Sequence, residues 1–112
     1  MARSAAAAAR VREAAPVFAA LGDPTRLQVV ARLCSHGPQS ITRLSADMDV
    51  TRQAVTKHLV ALAAAGLAQP RREGREQIWQ LETRRLELAR QTLDQISGQW
   101  DSAIARLRAF VE

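Results

Sequence analysis

The segment ITRLSADMDVTRQAVTKHLVALAAAGL, residues 41 to 67, constrains the fold more than any other part of this chain. Val55, Leu59 and Leu62 recur at spacings of four and three, so they stand one above another on a single helix face. Thr51 is placed to cap that helix through its side-chain oxygen, and Gly66 is the residue type that ends a helix in the left-handed conformation. The preceding ITRLSADM, with Ser40 ahead of it, predicts a shorter helix that buries Ile41, Leu44 and Met48. Two helices joined by a link of about three residues form the helix-turn-helix arrangement.

The second of these helices has a polar side that core packing does not explain. At about 100° per residue, Gln53 and Lys57 project nearly opposite the apolar stripe, with Thr56 on its flank. Gln53, Thr56 and His58 carry donors and acceptors of the kind that read base edges in a major groove, and Arg52 or Lys57 suits phosphate or guanine. Thr51, at the helix start, completes this candidate DNA-contact set. His58 flanks the stripe, where a hydrogen bond inside the domain competes equally with a contact to DNA.

The flanking sequence supplies a frame for this pair. MARSAAAAARVRE has helical propensity but no apolar stripe, which predicts a flexible arm over residues 1 to 13, frayed or extending the first helix, ahead of one domain from 14 to 112. Pro16 suits the start of a helical turn, and VFAALG follows it. Asp23 stands at a cap position with Pro24 at the first helical position, Leu27, Val30, Ala31 and Leu33 follow, and Gly37 and Pro38 stop the helix.

After Gly66 the pattern changes period. LAQPRREGREQIWQL places a Glu-Gly-Arg turn at 73 to 75 between two extended stretches, with Trp79 and Leu81 alternating onto one side, which predicts a β-hairpin. Residues 83 to 112 lack proline and carry Leu86, Ala89, Leu93, Ile96, Trp100, Ile104, Leu107 and Val111 at spacings of three or four. A long amphipathic helix follows, with Ser97 and Gly98 as a point of bending. The expected fold class is α+β, mostly α: a winged helix-turn-helix with a two-stranded β-hairpin wing and a long carboxyl-terminal helix.

Charge placement points to the partner. Fifteen arginines and the single Lys57 give the 112-residue chain a formal net charge of +5. Residues 51 to 75 hold five basic side chains against Glu73 alone, whereas residues 76 to 112 are close to balanced. Arg71, Arg72 and Arg75 at the hairpin tip suit a phosphate backbone or a minor groove, so double-stranded DNA is the expected partner. No apolar run reaches the roughly 18 residues of a membrane span, and the amino terminus does not read as a secretory signal, so a cytosolic location is expected. Cys34 is the single cysteine, which excludes an intrachain disulfide and any site built from several cysteines of one chain. No phosphate-binding glycine loop and no nucleophile with base and orienter is present, so an enzyme is not expected.

LGDPTRLQVVARL at 21 to 33, TRQAVTKHLVALAAAGL at 51 to 67 and RREGREQIWQL at 71 to 81, in this order, resemble the ArsR family of bacterial winged-helix repressors. The resemblance implies a homodimer that binds an inverted-repeat operator and blocks transcription, dimerising mainly through its first and last helices. Phe18 on the first, and Leu93, Ile96, Trp100, Ile104 and Leu107 on the last, are the interface residues this implies. Metal-sensing members carry a Cys-x-Cys pair near the first helix of the helix-turn-helix, or His and acidic ligands on the terminal helix. Here the first place reads SITRLSADM, and residues 83 to 112 contain neither histidine nor cysteine. The expectation is therefore a non-metal-sensing subgroup, with no metal and no cofactor and an effector that the sequence does not name. Two alternatives stand beside it: a winged-helix module that binds a protein, and a repressor that responds to thiol chemistry or a metalloid through Cys34, with His36 nearby.

Overall fold

The computed structural model describes residues 2–111, with side chains from residue 5 onward. The elements run α1 (Ala2–Leu21), α2 (Pro24–His36), β1 (Gln39–Ser40), α3 (Ile41–Met48), α4 (Arg52–Ala64), β2 (Ala68–Glu73), β3 (Glu76–Leu81) and α5 (Thr83–Val111). This is a winged helix-turn-helix: α3 and α4 form the helix-turn-helix, β2 and β3 the wing.

The starts of three consecutive helices follow from side-chain caps. Asp23 Oδ1 accepts from the Arg26 N–H at 2.9 Å, Ser40 Oγ from the Arg43 N–H at 3.2 Å, and Thr51 Oγ1 from the Ala54 N–H at 3.1 Å. Each satisfies a donor that the first helical turn leaves without a backbone partner. The turn between α3 and α4 uses Asp49 in the left-handed conformation (φ 54°), one of the few residue types besides glycine that adopt it readily. The Val50 N–H then returns to the Ser45 carbonyl at 3.2 Å. Gly37, Gly66 and Gly74 also have positive φ, and Gly74 makes the wing turn.

One core holds these elements together. Val17 of α1, Val29 and Leu33 of α2, Leu44 of α3, and Val55, Leu59 and Leu62 of α4 are buried in a single cluster that includes Leu67 and Trp79. The predicted stripe of α4 is therefore its buried face, and removal of Leu59's side chain to alanine would cost about 2 to 5 kcal/mol. Trp79 is buried and Leu81 packs against the same cluster, as their alternation predicts, while neighbouring Ile78 is buried on the other side of the strand.

The structure departs from the sequence reading at two places. The wing hairpin has two strands, but β1 pairs antiparallel with β3, with Gln39 opposite Trp79 and Ser40 opposite Ile78, giving a three-stranded sheet of order β1-β3-β2. This strand leads straight into α3, so the wing is hydrogen-bonded to the base of the helix-turn-helix. Pro16 lies inside α1 and does not start it. An internal proline forfeits a backbone hydrogen bond and costs about 3 kcal/mol, and burial of Ala14, Val17 and Ala20 on both sides of it holds the helix together. Residues 2 to 13, read as an arm that is frayed or extends the first helix, are the first part of α1, and α5 runs through Gly98 without interruption.

Candidate nucleic-acid interface

Burial of Val55, Leu59 and Leu62 fixes which side of α4 meets solvent. Arg52, Gln53, Thr56 and Lys57 are all exposed on it, and α4 contains no acidic residue. Among the described residues, the side chains of Arg52, Gln53 and Lys57 make no hydrogen bond or ion pair within the chain. They present two cations and one amide, with every donor available to a ligand. Thr51 accepts a hydrogen bond as the cap of α4, which leaves its hydroxyl hydrogen free to donate. Thr56 is different: its hydroxyl donates to the Arg52 carbonyl at 2.7 Å, so its hydrogen is already engaged by the helix.

His58 is the member of the predicted set that turns inward. Its ring is half-buried, and Nδ1 lies 3.9 Å from Asp23 Oδ1 at the start of α2. Asp23 has its carboxyl held below the ordinary carboxylate range, first by the Arg26 N–H that it accepts, and further by the charges of Arg26 and His58. Of the two readings open for His58, the contact with Asp23 fits the one within the domain, although 3.9 Å is beyond hydrogen-bond distance. The physical reason is position: His58 is three residues after Val55 and four before Leu62, on the edge of the buried stripe.

The wing carries the second basic group. Arg71, Arg72 and Arg75 line one shallow depression with Pro70 and Gln77. Arg71 makes an exposed ion pair with Glu73 at 3.7 Å, whereas Arg72 and Arg75 have no such partner among the described residues. Glu73 stands directly opposite Glu76 across the turn. The tip is thus less basic than residues 71 to 75 suggest, because pairing brings Glu76 beside them. Like charges directly opposite each other in a hairpin repel, and Arg71 offsets one of them.

The residues implied as a dimer interface fall into two groups. Leu93, Ile96, Trp100 and Leu107 are exposed on α5, Trp100 to 67%, and Phe110 and Val111 extend the apolar face to the helix end. Ile104 is half-buried, and Phe18 packs against the domain core. α1 lies along α5, with an Arg10 Nη1 to Gln95 Oε1 hydrogen bond at 3.3 Å and Ala14, Val17, Ala89 and Thr92 buried. No helix among the described residues is long and apolar enough to cross a membrane.

A helix-turn-helix with an acid-free outer helix face, followed by an arginine-bearing wing, defines a winged-helix DNA-binding protein. Comparison with known proteins places it further. Residues 21–70 match the family described as Helix-turn-helix domain. The chain is 38% identical over 93 residues to the HTH-type transcriptional regulator Rv2034 of Mycobacterium tuberculosis, covering 83% of each chain. It is similar in structure to an ArsR-like transcriptional regulator from Rhodococcus sp. RHA1, with 37% identity, a TM-score of 0.75 and coverage of 90% of this chain and 94% of that one. A homodimeric winged helix-turn-helix domain of Mb0332 from Mycobacterium bovis, a possible ArsR-family regulator, is similar at 26% identity and a TM-score of 0.63, covering 82% of this chain and 83% of that one. The chain belongs to the ArsR family of helix-turn-helix transcriptional regulators.

Proposed function

We propose that this regulator is a homodimeric repressor that binds an inverted-repeat operator in the bacterial cytoplasm, with α4 in the major groove and the wing on the backbone. The observation that carries this reading is the outer face of α4, where Arg52, Gln53 and Lys57 are exposed and have no partner among the described residues, opposite a fully buried Val55, Leu59 and Leu62. Gln53 is the base-reading side chain, and Arg52, Lys57, Arg72 and Arg75 neutralise phosphate. The two chains of the dimer set two such helices against two half-sites.

Self-association is supported by the apolar face of α5. A lone chain leaves Leu93, Ile96, Trp100 and Leu107 in water, and full burial of a large apolar side chain contributes roughly 1.5 to 3 kcal/mol. The M. bovis neighbour described as homodimeric lends the same support. The chain acts by binding and not by catalysis, and no metal is its signal: Cys34 and His36 lie at the end of α2 opposite to the one His58 faces. The experiment that tests repression is a genome-wide map of bound sites in the native host, read with transcript levels after deletion of the gene. Bound promoters should rise in output on deletion. A fall in output at those promoters would make the protein an activator.

A further inference from the structure

Val60 is the one large hydrophobic side chain of α4 that faces solvent among the described residues, at 57% exposure. It does not sit at the edge of the polar face. On a helix of 3.6 residues per turn it comes within about 20° of Gln53 and about 40° of Thr56, in the middle of the surface assigned above to DNA. Neither packing nor propensity accounts for a valine there, since it touches no core residue's stripe and forms helix less well than alanine. Thr56 stands four residues earlier, so the two Cβ atoms are neighbours at about 5 to 6 Å. Because the Thr56 hydroxyl donates back to the Arg52 carbonyl, its γ-methyl is chiefly what it adds to the outer surface. The result is a small apolar strip, Thr56 then Val60, bordered by Gln53 and Lys57 and continued by exposed Ala64.

We propose that Thr56 and Val60 form a methyl-reading strip that selects thymine within each operator half-site. Thymine alone among the bases presents a methyl group in the major groove, and apolar side chains recognise it by contact. Charge decides between DNA and an apolar peptide as the occupant: α4 carries Arg52 and Lys57 and no acid, and the wing adds Arg72 and Arg75. Spacing is compatible, because Val60 lies about 10 Å along the helix from Gln53, or about three base-pair steps. Gln53 then reads one base pair by hydrogen bonding and Val60 a thymine up to three pairs away. The proposal rests on the reading of the chain as a sequence-specific DNA binder and assigns part of that specificity to apolar contact.

The test begins with selection of a preferred duplex from a randomised pool, followed by replacement of each half-site thymine in turn by deoxyuridine. That change keeps base pairing and removes only the methyl group. The full-length protein should lose about fourfold in affinity at one or two positions, the equivalent of one buried methyl each. Val60→Ala should remove the penalty at one position and Thr56→Ser at its neighbour. Both variants keep the helix, since alanine is a better helix former and serine retains the bond to the Arg52 carbonyl. A selected duplex in which deoxyuridine is neutral everywhere, or in which Val60→Ala leaves every penalty unchanged, overturns the strip while the DNA-binding reading stands. Failure to enrich any sequence overturns that reading and the strip with it.

Discussion

His58 Nδ1 lies 3.9 Å from Asp23 Oδ1, so α4 and the start of α2 meet through two side chains. Asp23 also caps α2, and its lowered pKa means that its carboxylate form is favoured by folding. The sign follows from linkage: a depressed carboxyl pKa contributes stability above the ordinary value of 3.8, and that contribution is lost as pH falls through the lowered folded value. Asp23→Ala should therefore lower the thermal midpoint at pH 7, and its deficit against the parent should shrink below about pH 3.8. Asp23→Asn, which keeps a capping oxygen, should lose less. Thermal unfolding of the three proteins across pH 3 to 7 checks this; a deficit constant across the range would contradict it.

Gln53 and the wing arginines should divide affinity from discrimination. Gln53→Ala is expected to cost about 1 to 3 kcal/mol of preference for the operator over a mutated duplex, with the fold unchanged because Gln53 is exposed. Arg72→Ala or Arg75→Ala should weaken all duplexes alike and reduce the slope of log affinity against log salt by about one. Arg71→Ala should do less, because Arg71 is already paired with Glu73. Titration of specific and mutated duplexes at several salt concentrations measures both quantities. Equal loss of specificity from helix and wing variants would contradict the division.

Trp100 tests assembly without disturbing the fold. Its 67% exposure in the single chain means that Trp100→Asp removes no core contact, so the monomer should stay folded. Dimerisation and operator binding should fall together, seen by sedimentation and by duplex titration. A monomeric variant with parental affinity would show that two chains are not needed.

A transition metal should not release the DNA. Tetrahedral sites need about four ligands in a fixed arrangement, and among the described residues no three His, Cys, Asp or Glu side chains gather to hold an ion. His58 faces the start of α2 at Asp23, while Cys34 lies eleven residues further on, about 16 Å along the same helix. Zinc, nickel or arsenite at micromolar levels should leave the protein–operator complex intact, and Cys34→Ser should bind as the parent does. Release by one of these ions, abolished by Cys34→Ser, would establish a metal or metalloid sensor. Release by oxidant, abolished by the same change, would establish a thiol switch, for which Cys34 is exposed.

The legible parts of the structure are those set by strong local chemistry. Asp23, Ser40 and Thr51 announce three helix starts, and Gly66 and Gly74 two reversals, because caps and positive φ demand particular residue types. The Val55, Leu59, Leu62 stripe announces the buried face of α4 because the helical period that aligns it is itself local. What was hidden depends on pairing at a distance. β1 has two residues, too few to show a period, and exists because β3 lies beside it. Glu76 joins the wing tip only through the register that sets it against Glu73. The inward turn of His58 needed the position of Asp23, thirty-five residues earlier, and the exposure of Val60 was recoverable from its angle to Gln53. Pro16 reads as a helix start by local rule, and only the packing of α1 against α5 and α2 carries the helix through it.

The most direct test of the central claim is a duplex-binding titration at about 0.15 M salt, with the mass of the complex determined on the same samples. A duplex enriched by selection should contain an inverted repeat with half-sites about 10 base pairs apart, centre to centre, or a multiple of that turn. It should bind two chains at least about a thousandfold more tightly than a scrambled duplex of the same length and composition. Equal affinity for the two duplexes, or a single chain on the selected one at full affinity, would contradict a dimeric, sequence-reading repressor.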